Sequence, residues 1–201
     1  DLSPNMISVA QNKYPGLRFA VADISKDPLN TSEYGLCVAL DDVLNCLPDE
    51  ISLRSAIINI ASSLTAGGYF LFNLVSLSSF KNYMGSVDFR KYEDACVLSY
   101  PLSSLYNTGR DPFVLGFSIL TFDGRAATWN KNDYTATERF YPKEDVEAIL
   151  LKAGLSIAAK RDLVQGELVA PDSTSASCIQ KHLYLCRKEA TNDDRRAGQK
   201  A

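Results

Sequence analysis

The stretch Leu36–Asp42, LCVALDD, decides the predicted fold of this chain. Five apolar residues in a row are typical of a β-strand that is buried on both faces of a parallel sheet. The run ends in two acids, and the carboxyl ends of strands in open α/β sheets form the edge where ligands bind. The stretch therefore predicts a parallel α/β sheet with a candidate ligand site at Asp41 and Asp42.

The residues that follow extend this pattern. Glu50–Thr65 carries apolar residues at helical spacing, and Ala66-Gly67-Gly68 is expected to stop the helix. Tyr69–Leu74 then predicts the next strand. A strand, a helix and a strand in this order predict a parallel pair joined by a right-handed crossover.

The residues before Leu36 predict a helix and another strand. Ser3 can cap a helix whose first position, Pro4, lacks an N–H that would be unpaired there anyway. Pro15-Gly16 ends this helix. Leu17–Ala22 is a short apolar run and is predicted to be a second strand.

Three acid positions are expected to meet at one edge of the sheet. Asp23 follows the run Leu17–Ala22, Asp41 and Asp42 follow the run after it, and Asp1 stands where a preceding strand would end. Separated carboxylates suit a ligand rich in hydroxyl and amino donors, whereas a bare phosphate would need a glycine loop. Each acid alone is also common as a cap or turn residue.

The second half of the chain no longer alternates between helix and strand patterns. Residues 75–141 are predicted to form an antiparallel β insertion over the carboxyl edge, with a short helix around Ser79–Tyr83. Asp123-Gly124 between two aromatic-rich runs predicts a β-hairpin, and Asn107-Thr108-Gly109 predicts a further turn. The fold class is therefore α/β, a Rossmann-like parallel sheet with an antiparallel closing strand plus this insertion.

The C-terminal residues are predicted to close the domain. Pro142 opens a helix that runs to Ala153. Leu155–Leu163 and Lys181–Arg187 read as two antiparallel closing strands, so the domain is predicted to span residues 1–188. Residues 189–201 are charged, small and polar, and are expected to form a disordered tail.

Composition narrows the function classes. The chain has 201 residues, of which 46% are hydrophobic and 22% charged, with a net charge of −3. An acidic protein without a basic run argues against nucleic acid or an anionic membrane as the main partner. No apolar stretch approaches the roughly 18 to 20 residues of a membrane helix.

Cysteine and histidine usage argues against a metal centre. The five cysteines are scattered without a Cys-x-x-Cys pair, which favours reduced thiols in a cytoplasmic protein. His182 is the only histidine and lies in an alternating run, so it is predicted to be a strand residue and not a catalytic one. No metal ligand set is predicted.

Several motifs, taken in their order along the chain, resemble those of class I S-adenosylmethionine-dependent methyltransferases, most closely the small-molecule type. The resemblance extends to about residue 188, and it rests on these segments: Asp1–Met6, Val21–Ile24, Leu40–Asn45, Leu64–Phe70, Thr137–Pro142 with Val146–Leu155, and Leu185–Lys188. It implies S-adenosylmethionine as the methyl donor, S-adenosylhomocysteine as the product and a small-molecule substrate.

The resemblance also implies a cofactor site. Asp1 would hold both ribose hydroxyls, and Leu2 and Met6 would flank the adenine. Asp23 would accept a hydrogen bond from the adenine amino group, with the Ile24 N–H nearby.

The acceptor side is implied in the same way. Leu40 and Asp41 would lie beside the methionine part of the cofactor. The predicted substrate residues are Asp42, Asn45, Trp129, Arg139 and Tyr141. Aromatic residues of the insertion could line a pocket for an aromatic acceptor or a cationic amine, although packing of the hairpin also explains them. Arg139 and Glu138 could anchor a polar substrate or pair with each other.

One departure from the family is large, because its glycine-rich loop and first strand are not in this sequence. We expect about 40 to 60 further residues upstream, judged by the size of a βαβ unit, or a second chain that supplies them. We also expect that the 201 residues alone do not fold stably, because central strands are lacking.

The predicted reaction is an in-line methyl transfer that depends mainly on positioning. A tyrosine could act as general base, although the sequence selects none. A non-catalytic binding module on the same fold is the first alternative, and another α/β nucleotide-binding enzyme such as a dehydrogenase is the second. A homodimer is possible.

Overall fold

The computed structural model describes residues 1–29, 33–103, 111–171, 173 and 175–190. The described helices are α1 (Pro4–Lys13), α2 (Glu50–Ser63), α3 (Leu77–Met84), α4 (Lys143–Lys152) and a 3-10 turn (Ala176–Cys178). The described strands are β1 (Tyr34–Ala39), β2 (Leu64–Val75), β3 (Asp88–Lys91), β4 (Ala95–Pro101), β5 (Phe113–Asp123), β6 (Thr128–Glu138), β7 (Leu155–Val164), β8 (Glu167–Val169) and β9 (Lys181–Lys188).

A five-stranded sheet forms the base of the domain, in the order β1-β2-β9-β7-β8. β1 and β2 are parallel, whereas β9 runs antiparallel to both β2 and β7. The parallel pair and the antiparallel closing strands agree with the sequence-based prediction.

Helices α2 and α4 cover one face of this sheet. Their apolar stripes, which include Ile57 and Leu150, pack against Phe70, Phe72 and Tyr184. All five side chains are fully buried, and Phe72 stacks on Tyr184 with ring centroids 5.0 Å apart. This layer is the main core, because an amphipathic helix must bury its apolar face.

A second, antiparallel sheet has the order β3-β4-β5-β6. The predicted hairpin is confirmed, since β5 and β6 pair along their full length around the turn at Asp123, whose carboxylate accepts from the Arg125 and Ala126 N–H groups. A small apolar cluster of Val75, Phe80 and Phe113 joins this sheet to α3 and to the end of β2.

Two strand predictions need correction. Leu17–Ala22 is not a regular strand, because its described partner is the single residue Asp1, which exchanges backbone hydrogen bonds with Ala20 and Ala22. β1 is not buried on both faces. Leu36 and Val38 share one face of the strand and are each 54% exposed, so the described residues leave that face uncovered.

The predicted glycine stop is also wrong. Helix α2 ends at Ser63 and β2 begins at the next residue, so the glycines lie inside the strand. Gly67 has φ +77°, and a Cβ on Gly68 would lie 3.0 Å from the Tyr34 carbonyl oxygen. Gly68 therefore serves the close approach of β1 to β2, where the register of the pair shifts, and Gly67 supplies the left-handed backbone beside it.

Helices α1, α3 and α4 agree with the predictions from sequence, although α3 extends beyond the predicted Ser79–Tyr83 at both ends. Ser3 caps α1 and accepts a hydrogen bond from the Met6 N–H. The short strand β8 and the 3-10 turn were not predicted. The predicted turn at 107–109 and residues 191–201 of the predicted tail lie outside the described residues. No helix in the described part of the chain is long and apolar enough to cross a membrane.

Candidate functional site

The turn after β1 has a strained backbone. Asp41 and Asp42 have φ values of 56° and 65°, in the left-handed region that residues other than glycine rarely adopt. Each such residue costs of order 1 kcal/mol, and such strain clusters at functional sites. The Asp42 carbonyl accepts from the Asn45 and Cys46 N–H groups, which closes the turn.

Asp42 is the centre of a polar network. Its carboxylate accepts from the Asn73 side-chain amide at 2.6 Å and pairs with the Lys181 ammonium at 2.9 Å. These partners belong to β2 and β9, so the network ties the end of β1 to the two strands beside it. The Asp42 carboxylate is only partly exposed, and its contacts with Asn73 and Lys181 hold it at the carboxyl edge of the sheet.

Asn45 was predicted to bind substrate, but its side chain is fully buried and used within the protein. Its amide donates to the Arg139 carbonyl oxygen at 2.8 Å, and its oxygen accepts from the Val75 N–H at 3.1 Å. The Arg139 N–H also donates to the Asn45 carbonyl oxygen at 2.7 Å. Asn45 therefore joins the β1 turn, the end of β2 and the residue after β6.

The side chains of two other predicted substrate residues, Tyr141 and Arg139, contact the segment after the β1 turn. Tyr141 is buried, and its hydroxyl donates towards the Leu47 and Asp49 carbonyl oxygens. Burial raises the pKa of Tyr141 to about 12, so it is a neutral anchor. Arg139 donates to the Pro48 carbonyl oxygen at 2.9 Å.

Trp129 lies far from Asp42. It is exposed, packs against Phe122 and sits beside the hairpin turn, nine residues along β6 from Glu138. At the usual rise of a strand this is about 30 Å. The sequence did not indicate this position of Trp129, because the register of the β5–β6 hairpin decides which aromatic residues lie near Asp42.

A cavity of about 470 Å³ lies between Asp42, helix α3 and the antiparallel sheet. Its lining consists of Asp42, Tyr83, Ser86, Val87, Asp88, Arg90, Ser99, Tyr100, Leu115, Phe117 and Glu138. Of this set, the sequence had indicated Asp42 as a substrate residue and Glu138 as one of two residues that could anchor a polar substrate. The abundance of aromatic residues in the insertion signalled such a pocket, without indicating which of them line it.

Glu138 lies in this cavity next to Asp42. Burial, and then the nearby Asp42 carboxylate, raise the pKa of Glu138 above its ordinary value, against the opposing effect of Lys181. The predicted pairing of Glu138 with Arg139 is not among the described ion pairs.

The predicted cofactor residues near the N-terminus lie side by side. The Asp1 backbone nitrogen donates to the Ala20 carbonyl oxygen, and the Ala22 N–H donates to the Asp1 carbonyl oxygen at 3.0 Å, so Asp1 adjoins the segment that ends at Asp23. The Asp1 carboxylate accepts from the Ser3 N–H and is otherwise exposed. The apolar side chains of Leu2 and Met6 are also exposed.

Asp23 is held by its own turn. Its carboxylate accepts from the Ser25 N–H and hydroxyl and pairs with Lys26 at 2.9 Å. Hydrogen bonds from Lys26 and then Ser25 lower the pKa of Asp23 to about 2. A carboxylate offers about four lone-pair sites, so roughly one remains for a further donor.

Ile24 and Leu40 share a second hollow of about 400 Å³ along the exposed side of β1. The Ile24 carbonyl oxygen accepts from the Asn59 side chain of α2, which fixes the turn after Asp23 against that helix. The structure thus brings Ile24 and Leu40 to one apolar hollow, while Asp42, two residues later, faces the other cavity.

His182 lies away from the candidate site. It sits in β9 opposite Asp162 of β7, and the two side chains contact at 2.7 Å, as expected for a strand residue. Within the described ranges, no group of three or more His, Cys, Asp or Glu side chains is placed to hold a metal ion.

Solved structures with the same fold include several methyltransferases. An S-adenosylmethionine-dependent methyltransferase from Clostridium acetobutylicum has a TM-score of 0.77 and 24% identity, over 94% of this chain and 74% of that one. The sugar N-methyltransferase KedS8 from Streptoalloteichus sp. has a TM-score of 0.70 and 19% identity, over 94% of this chain and 70% of that one.

The amino pentose methyltransferase CalS10 from Micromonospora echinaspora, solved with S-adenosylmethionine bound, has a TM-score of 0.65 and 17% identity over 94% of this chain and 72% of that chain. No protein-family profile and no curated protein sequence matches the chain. The structural matches extend over nearly the whole chain, which therefore has the fold of class I S-adenosylmethionine-dependent methyltransferases.

Proposed function

We propose that this protein transfers a methyl group from S-adenosylmethionine to a small-molecule acceptor. One observation carries the proposal: the strained turn after β1 separates two hollows. Leu40 lines the hollow beside β1, and Asp42 lines the cavity under the antiparallel sheet. A donor on one side and an acceptor on the other would meet at Asp41, where methyl transfer needs them in line.

The residues on the donor side fit the cofactor. The Asp1 carboxylate has acceptor capacity left for two ribose hydroxyls, since it accepts only one described hydrogen bond. Exposed Leu2 and Met6 offer apolar surface to an adenine ring. Asp23 has roughly one acceptor site left for an amino group.

The proposed mechanism needs little acid–base chemistry from the protein. The bound cofactor would supply an electrophilic methyl group on a sulfonium. The residues of this chain would bind and orient: Asp1 and Asp23 hold the nucleoside, and the Asp42 network fixes the turn between donor and acceptor. The cavity walls would exclude water from the acceptor.

The acceptor class follows from the cavity and from the related structures. Two of those structures are named as methyltransferases of sugars, one a sugar N-methyltransferase and one an amino pentose methyltransferase. A cavity of about 470 Å³ with polar and aromatic walls is large enough for an acceptor of that size.

The cytoplasmic location and the homodimer stay predictions.

Calorimetric titration with S-adenosylhomocysteine tests the donor site. We expect measurable binding by the full-length wild type, and at least tenfold weaker binding by its Asp1→Ala and Asp23→Ala variants. Asp94→Ala is the matched control, because Asp94 is an exposed acid on the antiparallel sheet side. Absence of binding to the wild type, or equal affinity in all variants, would contradict the proposal and favour a non-catalytic module.

A further inference from the structure

Glu138 differs from the other two carboxylates that line the 470 Å³ cavity. Asp42 pairs with Lys181 at 2.9 Å, and Asp88 pairs with Arg90 at 2.7 Å. In the described part of the chain, the Glu138 carboxylate has neither an ion pair nor a side-chain hydrogen bond. The cavity therefore presents one carboxylate that no protein cation neutralises directly.

The backbone at Glu138 is held from both sides. Glu138 is the last residue of β6 and lies opposite Phe113, whose buried ring stacks on Phe80 with centroids 4.4 Å apart. The next residue, Arg139, donates its N–H to the Asn45 carbonyl oxygen at 2.7 Å. A backbone fixed in this way keeps the carboxylate at the cavity and limits its escape into solvent.

Aromatic rings complete the walls. Tyr83, Tyr100 and Phe117 line the same cavity as Glu138. Tyr100 lies across Gly116 of the neighbouring strand, where a Cβ would come within 2.4 Å of the ring. The negative face of an aromatic ring attracts cations, and an unpaired carboxylate attracts them more strongly. The combination is complementary to an ammonium group.

We propose that Glu138 binds the protonated amino group of the methyl acceptor and takes the proton that must leave the nitrogen. The inference rests on the proposed function and names its acceptor as an amine. An ammonium nitrogen cannot attack, because the proton occupies its lone pair.

The step balances at each atom. The N–H bond breaks, the proton moves to the Glu138 carboxylate, and the electron pair stays on the nitrogen. That pair forms the new N–C bond to the methyl group while the C–S bond breaks and the sulfur keeps its electrons. The raised pKa of Glu138 supports this role, because a less acidic carboxyl group is a stronger base.

Two probes of nearly equal shape test the assignment: benzylammonium, which carries the charge, and benzyl alcohol, which does not. Affinities are measured by calorimetry at neutral pH for the wild type, Glu138→Gln and Glu138→Asp. We expect the wild type to bind benzylammonium at least tenfold more tightly than benzyl alcohol. Glu138→Gln should lose this preference, and Glu138→Asp should keep part of it.

Glu167→Gln is the matched control, since Glu167 is an exposed acid in β8, and it should keep the full preference. The assignment is overturned if the wild type shows no preference, or if Glu138→Gln keeps it. Titration of the same samples with S-adenosylhomocysteine separates the two proposals. If S-adenosylhomocysteine does not bind but the amine preference is intact, the methyltransferase proposal fails and only the cation-binding part of the Glu138 assignment stands. If S-adenosylhomocysteine binds but the amine preference is absent, the Glu138 assignment alone fails.

Discussion

Replacing Asn45 by alanine tests a buried, fully hydrogen-bonded side chain of the candidate site. The side chain is fully buried and joins three segments through the Val75 N–H and the Arg139 carbonyl oxygen. Alanine would leave both backbone groups without these partners. The effect should therefore be on stability, in contrast to the substrate-binding role predicted from sequence.

The magnitude follows from the two orphaned groups. A buried donor or acceptor left without a partner costs about 1 to 3 kcal/mol. Val75 is 1% exposed and should bear the full cost, whereas Arg139 is only partly buried and can recruit water. We expect Asn45→Ala to lower the free energy of unfolding by about 2 to 4 kcal/mol.

Urea unfolding followed by circular dichroism measures this loss. Asn130→Ala is the matched control, because Asn130 is exposed on β6 and its replacement should change stability by less than about 0.5 kcal/mol. Asn45→Asp keeps the acceptor and loses the donor, so it should also destabilise the fold. An Asn45→Ala variant as stable as Asn130→Ala would refute the reasoning.

Two further predictions concern the cavity and the donor side. Gly116→Ala should displace the Tyr100 ring, because the new Cβ would lie 2.4 Å from that ring, and calorimetry should then show a several-fold change in benzylammonium affinity. Gly124→Ala is the control, since its Cβ would meet only a Phe122 carbon at 4.0 Å, and it should leave the benzylammonium affinity unchanged. Asp23 should titrate at about pH 2 in an NMR titration, below its ordinary 3.8. The stabilising contacts of this carboxylate are then complete above pH 4 and lost as the pH falls through 2. Lys26→Met should raise that midpoint, and an unchanged midpoint would contradict the assigned cause.

Local patterns predicted those elements whose partners follow closely along the chain. Helix α2, helix α4 and the β5–β6 hairpin depend on apolar spacing, caps and a turn within each segment. The run Leu17–Ala22 has the same apolar character but is not a regular strand, since a strand exists only through its neighbours. The exposure of β1 escaped prediction for the same reason.

The residues of the candidate site also divide into those that the local sequence predicted and those that only the fold brings together. Asp42 was predicted because it follows a strand, whereas its partner Lys181 is 139 residues away. Glu138 stood beside Arg139 in the sequence, yet in the fold it faces a cavity and Arg139 contacts Pro48. Glu138 is the last residue of β6 and Arg139 lies just beyond it, so the point at which the strand ends separates the surroundings of the two side chains.

The sequence by itself determined the fold class and the place of Asp42 after a strand, because strand runs, helix periods and the residues that end them are local properties. Only the tertiary structure decided which polar side chains are used up inside the protein, such as Asn45 and Tyr141, and which face a cavity, such as Glu138. The physical reason is that burial and hydrogen-bond satisfaction depend on groups brought together from distant parts of the chain.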